Sequence, residues 1–427
     1  MTSSKLSFQD MRTLGLAALG GALEFYDFVI FVFFTKTLST LFFPADMPAW
    51  LAQLQVYGIF ASGYVARPVG GVIMAHFGDL LGRKKMFTLS VLLMALPTLC
   101  IGLLPTYAQL GLLAPILLLI LRVVQGIAIG GEVPAAWVFV AEHVPQNRVG
   151  FACASLTSGL TLGILLGSLM GTTIYTQLSP EAVLSYGWRI AFLVGGAFGI
   201  FAVWLRGWLK ETPVFEAMKE RKELNKDIPL KTVLQKHRRS VMISMLITWM
   251  LTAAILVIIL MTPTLIQSQF QISAAEAFRG NNWASFALVL GCLAGGFFAD
   301  KIGYAKALFI GSIILLITNY ALYIDLTKGA ENFILLYTIA GFTVGVVGIV
   351  PSVMVAAFPP VIRFSGLSFS YNISYAIFGA ITPPFISYLS SHFGGLAPAH
   401  YVALATSVTI VISFILLRSR SNSLYNV

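Results

Sequence analysis

The chain has 427 residues, of which 58% are hydrophobic and only 10% are charged, and its formal net charge is +10. Soluble domains carry about 25% charged residues, so this composition excludes an ordinary soluble domain and predicts an integral membrane protein. The basic residues stand in short groups between apolar runs rather than in one long tail. This pattern argues against nucleic-acid binding and for loops that orient the chain in a membrane.

Apolar runs of about 20 residues, the length that crosses a bilayer, recur along the whole chain and predict twelve helices. The predicted helices lie near 13–34, 50–75, 86–105, 110–140, 149–176, 188–208, 241–266, 282–299, 306–324, 332–357, 365–390 and 400–417. The first run contains Glu24 and Asp27 and is followed by no clear small-residue cleavage site. It is therefore expected to be a membrane helix rather than a cleaved signal.

One charged turn occurs twice, at 75–85 and at 296–306. In both copies an acid, Asp79 or Asp300, stands three residues before a glycine and is followed by bases such as Arg83. Repetition of one turn half a molecule apart is typical of membrane proteins built from two copies of a helical unit. The sequence therefore predicts an all-α fold of twelve transmembrane helices in two pseudo-symmetric six-helix bundles.

A single long polar stretch, 206–239, separates the two predicted bundles. The predicted division is an N-terminal bundle at 1–208, a cytoplasmic linker at 209–240 and a C-terminal bundle at 241–427. The linker's charges suit an amphipathic helix lying on anionic lipid and suit a solvated connection equally well. Most of the 27 lysines and arginines fall on the linker's side of the membrane, which predicts that both termini are cytoplasmic.

The first helix carries two acids at depth. Counted from Arg12, Glu24 lies about 18 Å and Asp27 about 22 Å into the membrane, and a spacing of three residues places both on one face. An ionised carboxylate at that depth costs several kcal/mol unless it is paired or reached by water. A proton site is one interpretation, because burial favours the protonated form. A structural ion pair with a neighbouring arginine is the other.

The fourth helix carries Arg122 at a depth similar to that of the two acids, about 18 Å below Leu110. Arg122 is thus their best-placed partner, with a bound anion able to close the gap between them. Glu132 and Arg67 lie nearer the inner surface and are expected to pair with each other. Glycines on the fourth and fifth helices predict close helix packing, and those on the fifth also suit a sliding surface.

The inner ends of the helices suggest contacts between the two bundles. Arg363 is an inner-surface base at the start of the eleventh helix. Asp79 is expected against the positive N-terminal end of that helix, and Asp300 against the start of the fifth helix near Arg148. Such contacts would close the inner side when the bundles meet.

Several chemistries find no support in the sequence. No Gly-x4-Gly-Lys-Ser/Thr phosphate loop is present, which argues against direct use of ATP. The five histidines are scattered without metal-ligand spacing, and no catalytic serine motif stands out. The three cysteines lie within apolar runs and are expected to be buried free thiols.

Taken together, the two charged turns and Arg122-x-x-Gln125-Gly126 resemble the major facilitator superfamily. Six further segments resemble its metabolite:proton symporter family, which includes transporters of citrate, 2-oxoglutarate, shikimate and proline or glycine betaine. These segments are LEFYDF at 23–28, RPVGG at 67–71, GGE at 130–132, WRIAF at 188–192, ETPVF at 211–215 and FPPVIR at 358–363. They follow one another in order from the first helix to the eleventh.

The resemblance implies a monomeric, multi-pass protein of the inner (plasma) membrane that imports a small molecule by alternating access. The proton is the implied coupling ion, no other cofactor is expected, and the first, fourth, seventh and tenth helices are expected to line a central cavity. Glu24, Asp27 or Glu132 would take the proton, and Arg67 and Arg122 would attract a substrate carboxylate. Weaker candidates for shaping the pocket are Tyr26, Trp137, Trp249, Tyr371, Asn372 and Tyr375. Asp79, Arg83, Asp300 and Arg363 are the expected gate residues.

The sequence allows more than one substrate class and allows transport with or without protons. The second half offers no base at depth, which favours a monocarboxylate or a zwitterion such as proline or betaine, whose cationic end would rest on aromatic faces. A di- or tricarboxylate symporter and a proton-independent facilitator or exporter are the alternatives. An embedded enzyme would need a reactive constellation that the sequence does not offer, and a sensor would need a larger output domain.

Overall fold

Twelve long helices form the described part of the chain, because backbone polar groups within a bilayer must be satisfied inside each segment. The computed structural model describes residues 6, 8–81, 83–206 and 229–418, without the side chains at 8–9, 74–81, 83–88, 205–206, 229–231 and 360–361. The helices are α1 Phe8–Phe33, α2 Ala49–Leu81, α3 Arg83–Leu103, α4 Leu113–His143, α5 Val149–Gln177, α6 Trp188–Arg206, α7 Arg238–Gln269, α8 Ala274–Ile302, α9 Tyr304–Thr327, α10 Phe333–Ala356, α11 Ile362–Phe393 and α12 Ala397–Arg418. Ten of the helices are long and apolar enough to span a membrane by length and composition.

The twelve predicted helices are confirmed, although some of their ends differ. The eighth helix begins at Ala274 rather than near residue 282, because Ser273 caps it by accepting a hydrogen bond from the Glu276 amide. Its first turns are polar, so an apolar run alone did not reveal them. Most of the predicted linker, 207–228, lies outside the described residues, and the division into two bundles stays a prediction.

Several helices depart from α geometry near their middle. The fourth helix is interrupted at Gly130 and Gly131. Wider π turns occupy Ala254–Met261 in α7 and Tyr375–Gly379 in α11, and a tighter 3₁₀ segment occupies Gly345–Ile349 in α10. Departures from α geometry in the middle of a helix often mark functional positions.

Glycines bring neighbouring helices into backbone contact. A Cβ on Gly126 would collide with the Gly63 backbone, so α4 lies directly on α2. On α5, a Cβ on Gly159 would lie 2.6 Å from Ala18 of α1, whereas one on Gly171 would lie 2.6 Å from Phe278 of α8. The predicted close packing is therefore present. The α5 glycines serve mainly contact with α1.

The first six helices meet the last six along two seams, α5 against α8 and α2 against α11. Side chains cross the first seam, where Asn281 donates a hydrogen bond to Ser168 at 2.9 Å. The rings of Phe33 and Phe278 meet at 5.6 Å near one end of the assembly. Because contacts also occur at the end that carries Asp300, the two sets of helices touch at both ends.

The cysteines match the prediction in part. All three are free thiols, and Cys153 and Cys292 are buried in α5 and α8. Cys100 is exposed on α3, contrary to the prediction. It lies on the outer face of its helix, and an apolar sequence does not distinguish a lipid-facing position from a protein-facing one.

Candidate functional site: two buried arginines

Arg122 lies in the middle of α4 and is fully buried. Its Nη1 donates to Gln125 Oε1 at 3.0 Å, and its Nη2 donates to the Phe28 carbonyl at 3.1 Å. Gln125 in turn donates to the Thr98 hydroxyl at 2.8 Å. The rings of Phe28 and Phe60 lie 3.9 and 4.5 Å from the guanidinium carbon. Neutral groups and aromatic faces therefore surround this cation.

Arg67 of α2 is only 1% exposed and is surrounded by aromatic rings. Its guanidinium carbon lies 4.4 Å from the Tyr375 ring, 4.7 Å from Tyr64, 5.0 Å from Phe28 and 6.0 Å from Tyr371. Its Nε and Nη1 find no acceptor among the described residues. A buried guanidinium with free donors is costly, so this position is built for something other than stability.

The two arginines face the same Phe28 ring, at 5.0 Å for Arg67 and 3.9 Å for Arg122. Neither forms an ion pair with an acid in the described part of the chain. Two like charges in one apolar region repel each other strongly, because the interior screens charge far less than water does. The arrangement can therefore stabilise an anion that enters between or beside them.

Asp27 of α1 points to a different neighbour. It is 1% exposed, and neither carboxyl oxygen has a hydrogen-bond donor within the described ranges. A Cβ added to Gly195 would lie 2.7 Å from the Asp27 Oδ1, and a Cβ added to Gly199 would lie 3.0 Å from its Oδ2. The carboxyl thus packs into a glycine groove of α6. No described donor therefore offsets the cost of a charge at this carboxyl.

The predicted ion pairs of the arginines are not formed. Arg122 binds Gln125 and Phe28 instead of Glu24 or Asp27, because residues 27 and 28 point about 100° apart on α1. Arg67 does not pair with Glu132, whose Oε2 accepts a hydrogen bond from Ser90 at 3.3 Å. Both glutamates are nevertheless buried, Glu24 to 6% and Glu132 to 5% exposure.

Two of the weaker predicted pocket residues on α11 contact Arg67, and two others lie next to them, one on α11 and one on α4. The rings of Tyr371 and Tyr375 lie with their centroids 4.6 Å apart and tilted by 55°, and both face Arg67. Trp137 meets the Tyr371 ring edge-on at 5.0 Å. Asn372 donates to the Gly130 carbonyl at 2.6 Å, at the interruption of α4, and its Oδ1 is buried without a donor in the described chain.

The remaining two aromatic candidates lie elsewhere. The Tyr26 hydroxyl donates to the Ala191 carbonyl of α6 at 2.9 Å, so its ring faces away from the arginines. Trp249 stacks on Phe378 at 4.6 Å and donates to the Tyr401 hydroxyl at 3.0 Å, which places it against α11 and α12. The arginine cluster is formed by α1, α2, α4 and α11. A central cavity lined by the first, fourth, seventh and tenth helices stays a prediction.

The contacts expected at the inner ends are found where the side chains are described. Asp300 Oδ1 accepts a hydrogen bond from the Gly150 amide at 2.8 Å, and its Oδ2 accepts one from the Phe151 amide at 3.0 Å. The predicted contact with the start of α5 is thus confirmed. Arg363 forms an ion pair with Glu142 at 3.4 Å. The side chains of Asp79 and Arg83 lie outside the described residues.

Sequence reasoning missed three rings of the cluster, Phe28, Phe60 and Tyr64. A local signal was available for Tyr64, because it stands three residues before Arg67 and hence on the same face of α2. Phe28 follows Asp27 directly and was read only as part of a motif. Its role depends on two helices that come from distant parts of the chain, so no local pattern marks it.

Twelve membrane helices with unpaired cations buried between them define a multi-pass membrane protein with an internal polar site. Comparison with known families identifies its class. Residues 18–295 match the model of the Major Facilitator Superfamily. The chain belongs to this superfamily, and it is a transporter rather than an enzyme.

Curated relatives extend over nearly the whole chain. A Staphylococcus aureus (strain COL) protein provisionally named a proline/betaine transporter is 32% identical, over 97% of this chain and 90% of its own. The Escherichia coli inner membrane metabolite transport protein YhjE is 31% identical, over 97% of this chain and 95% of its own. The proline/betaine transporter of Salmonella typhimurium is 28% identical, over 94% and 82%.

Solved structures show the same fold. The proton:xylose symporter XylE bound to 6-bromo-6-deoxy-D-glucose superposes with a TM-score of 0.74, at 16% identity over 96% of this chain and 95% of that one. A partially occluded inward-open conformation of XylE also gives 0.74, at 15% identity over 96% and 98%. At these identities the similarity concerns the fold alone.

Proposed function

We propose that this protein is a proton-coupled symporter that imports a small carboxylate-bearing zwitterion, such as proline or a betaine, by alternating access. The observation that carries the proposal is the pair of buried arginines on the Phe28 ring, neither of which has an acid partner in the described chain. The names of the relatives, proline/betaine transporters among them, favour the same substrate class.

The charge of the site argues for a single carboxylate. Two buried nitrogens of Arg67, Nε and Nη1, have no acceptor in the described chain, so its guanidinium can still donate to a carboxylate. The guanidinium of Arg122 already donates hydrogen bonds to Gln125 and to the Phe28 carbonyl. Arg122 would therefore attract the substrate carboxylate mainly through its positive charge. No described base faces the cluster from the last six helices, where aromatic rings stand instead.

We propose Asp27 as the first candidate for the residue that carries the coupled proton. Thr98 and Asp27 both lie beside Gly195 of α6, and the Thr98 hydroxyl accepts a hydrogen bond from Gln125. Gln125 in turn holds Arg122. A change of charge at Asp27 would thereby reach the arginine. Glu24 and Glu132 remain further candidates for the proton.

Alternating access would use the contacts that join the two sets of helices at their ends. Asp300 at the start of α5 and the Arg363–Glu142 ion pair would close the inner side. Asp79 and Arg83 belong to the first copy of the charged turn, at 75–85, and would help to close the inner side in the same way. Opening requires these contacts to break while those at the opposite end persist.

The proposed location is the inner (plasma) membrane, because one relative is named an inner membrane transport protein. The distribution of lysines and arginines along the chain supports cytoplasmic termini. The functional unit would be a monomer of two six-helix bundles joined by the linker at 209–240, with lipid around it. Reaction of a cysteine introduced near either terminus with an impermeant reagent in sealed cells tests the orientation. Reaction without permeabilisation would contradict it.

Uptake of labelled proline and glycine betaine into proteoliposomes under an imposed pH gradient tests the function. We expect accumulation with the gradient and mere equilibration without it. Asp27→Asn is expected to abolish accumulation but not binding. The matched control is Asp325→Asn, because Asp325 lies in the last turn of α9 and accepts a hydrogen bond from the Asn332 amide. Equal uptake with and without the gradient would indicate a facilitator. Inhibition by citrate but not by proline would indicate a di- or tricarboxylate substrate.

A further inference from the structure

The rings around Arg67 form an aromatic box, defined by Phe28, Tyr64, Tyr371 and Tyr375. Their centroids lie 4.4 to 6.0 Å from the guanidinium carbon. Neighbouring rings touch one another, with centroids 5.2 Å apart for Phe28 and Tyr64, 5.2 Å for Tyr64 and Tyr375, and 4.6 Å for Tyr371 and Tyr375. Two rings come from each half of the chain, so the box exists only where α1 and α2 meet α11.

The backbone around the box is shaped to bring these rings together. Tyr375 opens the π turn Tyr375–Gly379 of α11. A Cβ on Gly379 would lie 3.0 Å from the Tyr375 ring and 3.2 Å from the Tyr64 ring, tighter than ordinary contact. A glycine at that position therefore lets the rings from the two halves close on one another.

The chemistry of the box selects a weakly hydrated organic cation. Aromatic faces attract a cation through the ring quadrupole, and the attraction grows when water is excluded. Guanidinium and quaternary ammonium groups lose little hydration on entering such a site, whereas a primary ammonium loses hydrogen bonds. The box holds the guanidinium of Arg67, whose Nε and Nη1 still lack acceptors in the described chain. The same group can therefore leave the rings to bind a carboxylate.

We propose that the aromatic box around Arg67 is the subsite for the quaternary ammonium group of a betaine, which replaces the guanidinium there while Arg67 binds the substrate carboxylate. This inference rests on the proposed function and narrows its substrate class from zwitterions in general to N-methylated ones. The exchange of one cation for another keeps the charge of the box constant. It also frees Arg67 to satisfy its two donors.

The test compares glycine betaine with 3,3-dimethylbutanoate, which has the same shape and carboxylate but carbon in place of the charged nitrogen. Equilibrium binding of both to the purified full-length protein is measured by calorimetry. Wild type is expected to bind the betaine at least about tenfold more tightly, a difference of about 1.4 kcal/mol. Affinity is also expected to rise along the series glycine, sarcosine, dimethylglycine, betaine.

Variants then locate the effect. Tyr375→Leu removes one face of the box and should reduce the tenfold ratio to threefold or less, whereas Tyr375→Phe keeps the face and should retain the ratio. Tyr388→Leu is the matched control, because Tyr388 lies on the same helix, is 44% exposed and stacks on His392 outside the box. Thermal melting of each variant checks that it is folded.

Each outcome bears on the inference. Equal affinity of wild type for the betaine and its neutral isostere would overturn it without any variant, and so would a ratio that survives Tyr375→Leu. If the betaine is still accumulated with protons in either case, the proposed function stands and only the box assignment falls. If neither compound binds while a dicarboxylate does, both proposals fail.

Discussion

The contact between Asp300 and the start of α5 offers the sharpest test of how the two sets of helices close. One carboxylate accepts two backbone hydrogen bonds across the interface, from Gly150 at 2.8 Å and from Phe151 at 3.0 Å. It also faces the positive end of the α5 dipole. Asp300→Asn removes the charge and turns one acceptor into a donor, which cannot pair with an amide N–H.

The magnitude follows from this geometry. A hydrogen bond to a charged group contributes about 1.5–3 kcal/mol, and Asp300 is half-buried, so we take a loss of about 2 kcal/mol. The loss concerns only the conformation in which the inner ends touch. It should therefore shift the closed-to-open equilibrium about 30-fold toward opening.

Cys153 provides the assay, because it is buried on α5 three residues beyond Gly150. With Cys100 and Cys292 replaced by alanine, alkylation of Cys153 by a maleimide reports how often the inner end opens. We expect Asp300→Asn to react about 30-fold faster than the parent.

Asp325→Asn serves as the control, since Asp325 also accepts from a backbone amide, that of Asn332, but within one half of the chain. Its reaction rate should match that of the parent. A change of less than threefold for Asp300→Asn, or an equal change for Asp325→Asn, would show that the contact of Asp300 with α5 does not hold the inner end closed. Gly150→Ala should act in the same direction, because its Cβ would collide with the Asp300 carboxyl.

Two further predictions concern the proton site and the inner ion pair. Gly195→Ala places a Cβ 2.7 Å from Asp27 Oδ1, an overpacking that costs about 1–3 kcal/mol and displaces the carboxyl. Accumulation driven by a pH gradient should fall about tenfold, whereas Gly15→Ala, which meets nothing within 4 Å, should leave it unchanged. Glu142→Gln should lower the free energy of unfolding by less than about 1 kcal/mol, because this ion pair is partly exposed. Arg363→Gln should cost more, since Arg363 Nε also donates to two backbone carbonyls at the α10–α11 turn.

Transport assays and denaturant unfolding check these two predictions. Full accumulation by Gly195→Ala would remove the α6 groove from the coupling mechanism. A cost for Glu142→Gln that exceeds the cost for Arg363→Gln would show that the ion pair, rather than the carbonyl contacts, stabilises this end.

The amino-acid sequence was enough to predict the class of fold and to single out the ionisable residues within the membrane. In lipid, an unsatisfied backbone polar group or an unpaired charge is costly. This cost explains why the chain has twelve apolar runs that form helices, and why the two charged turns and the basic loops lie between those runs. The same cost explains why Asp27, Arg67 and Arg122 stood out, since an ionisable side chain in an apolar run needs a reason to be there. The contact of Asp300 with the start of α5 could also be predicted, because a helix end attracts an acid wherever the chain brings one.

Which of these groups meet depends on how the helices pack, and the sequence did not reveal it. On α1, Asp27 turns to the glycines of α6 while Phe28 turns to the arginines, a divergence set by 100° per residue that no motif reveals. Arg67 finds rings from α11, some 300 residues away in the chain, instead of the expected Glu132. Pairing depends on how helices rotate and pack against distant partners, and that information lies in the sum of all contacts rather than in any local stretch of sequence.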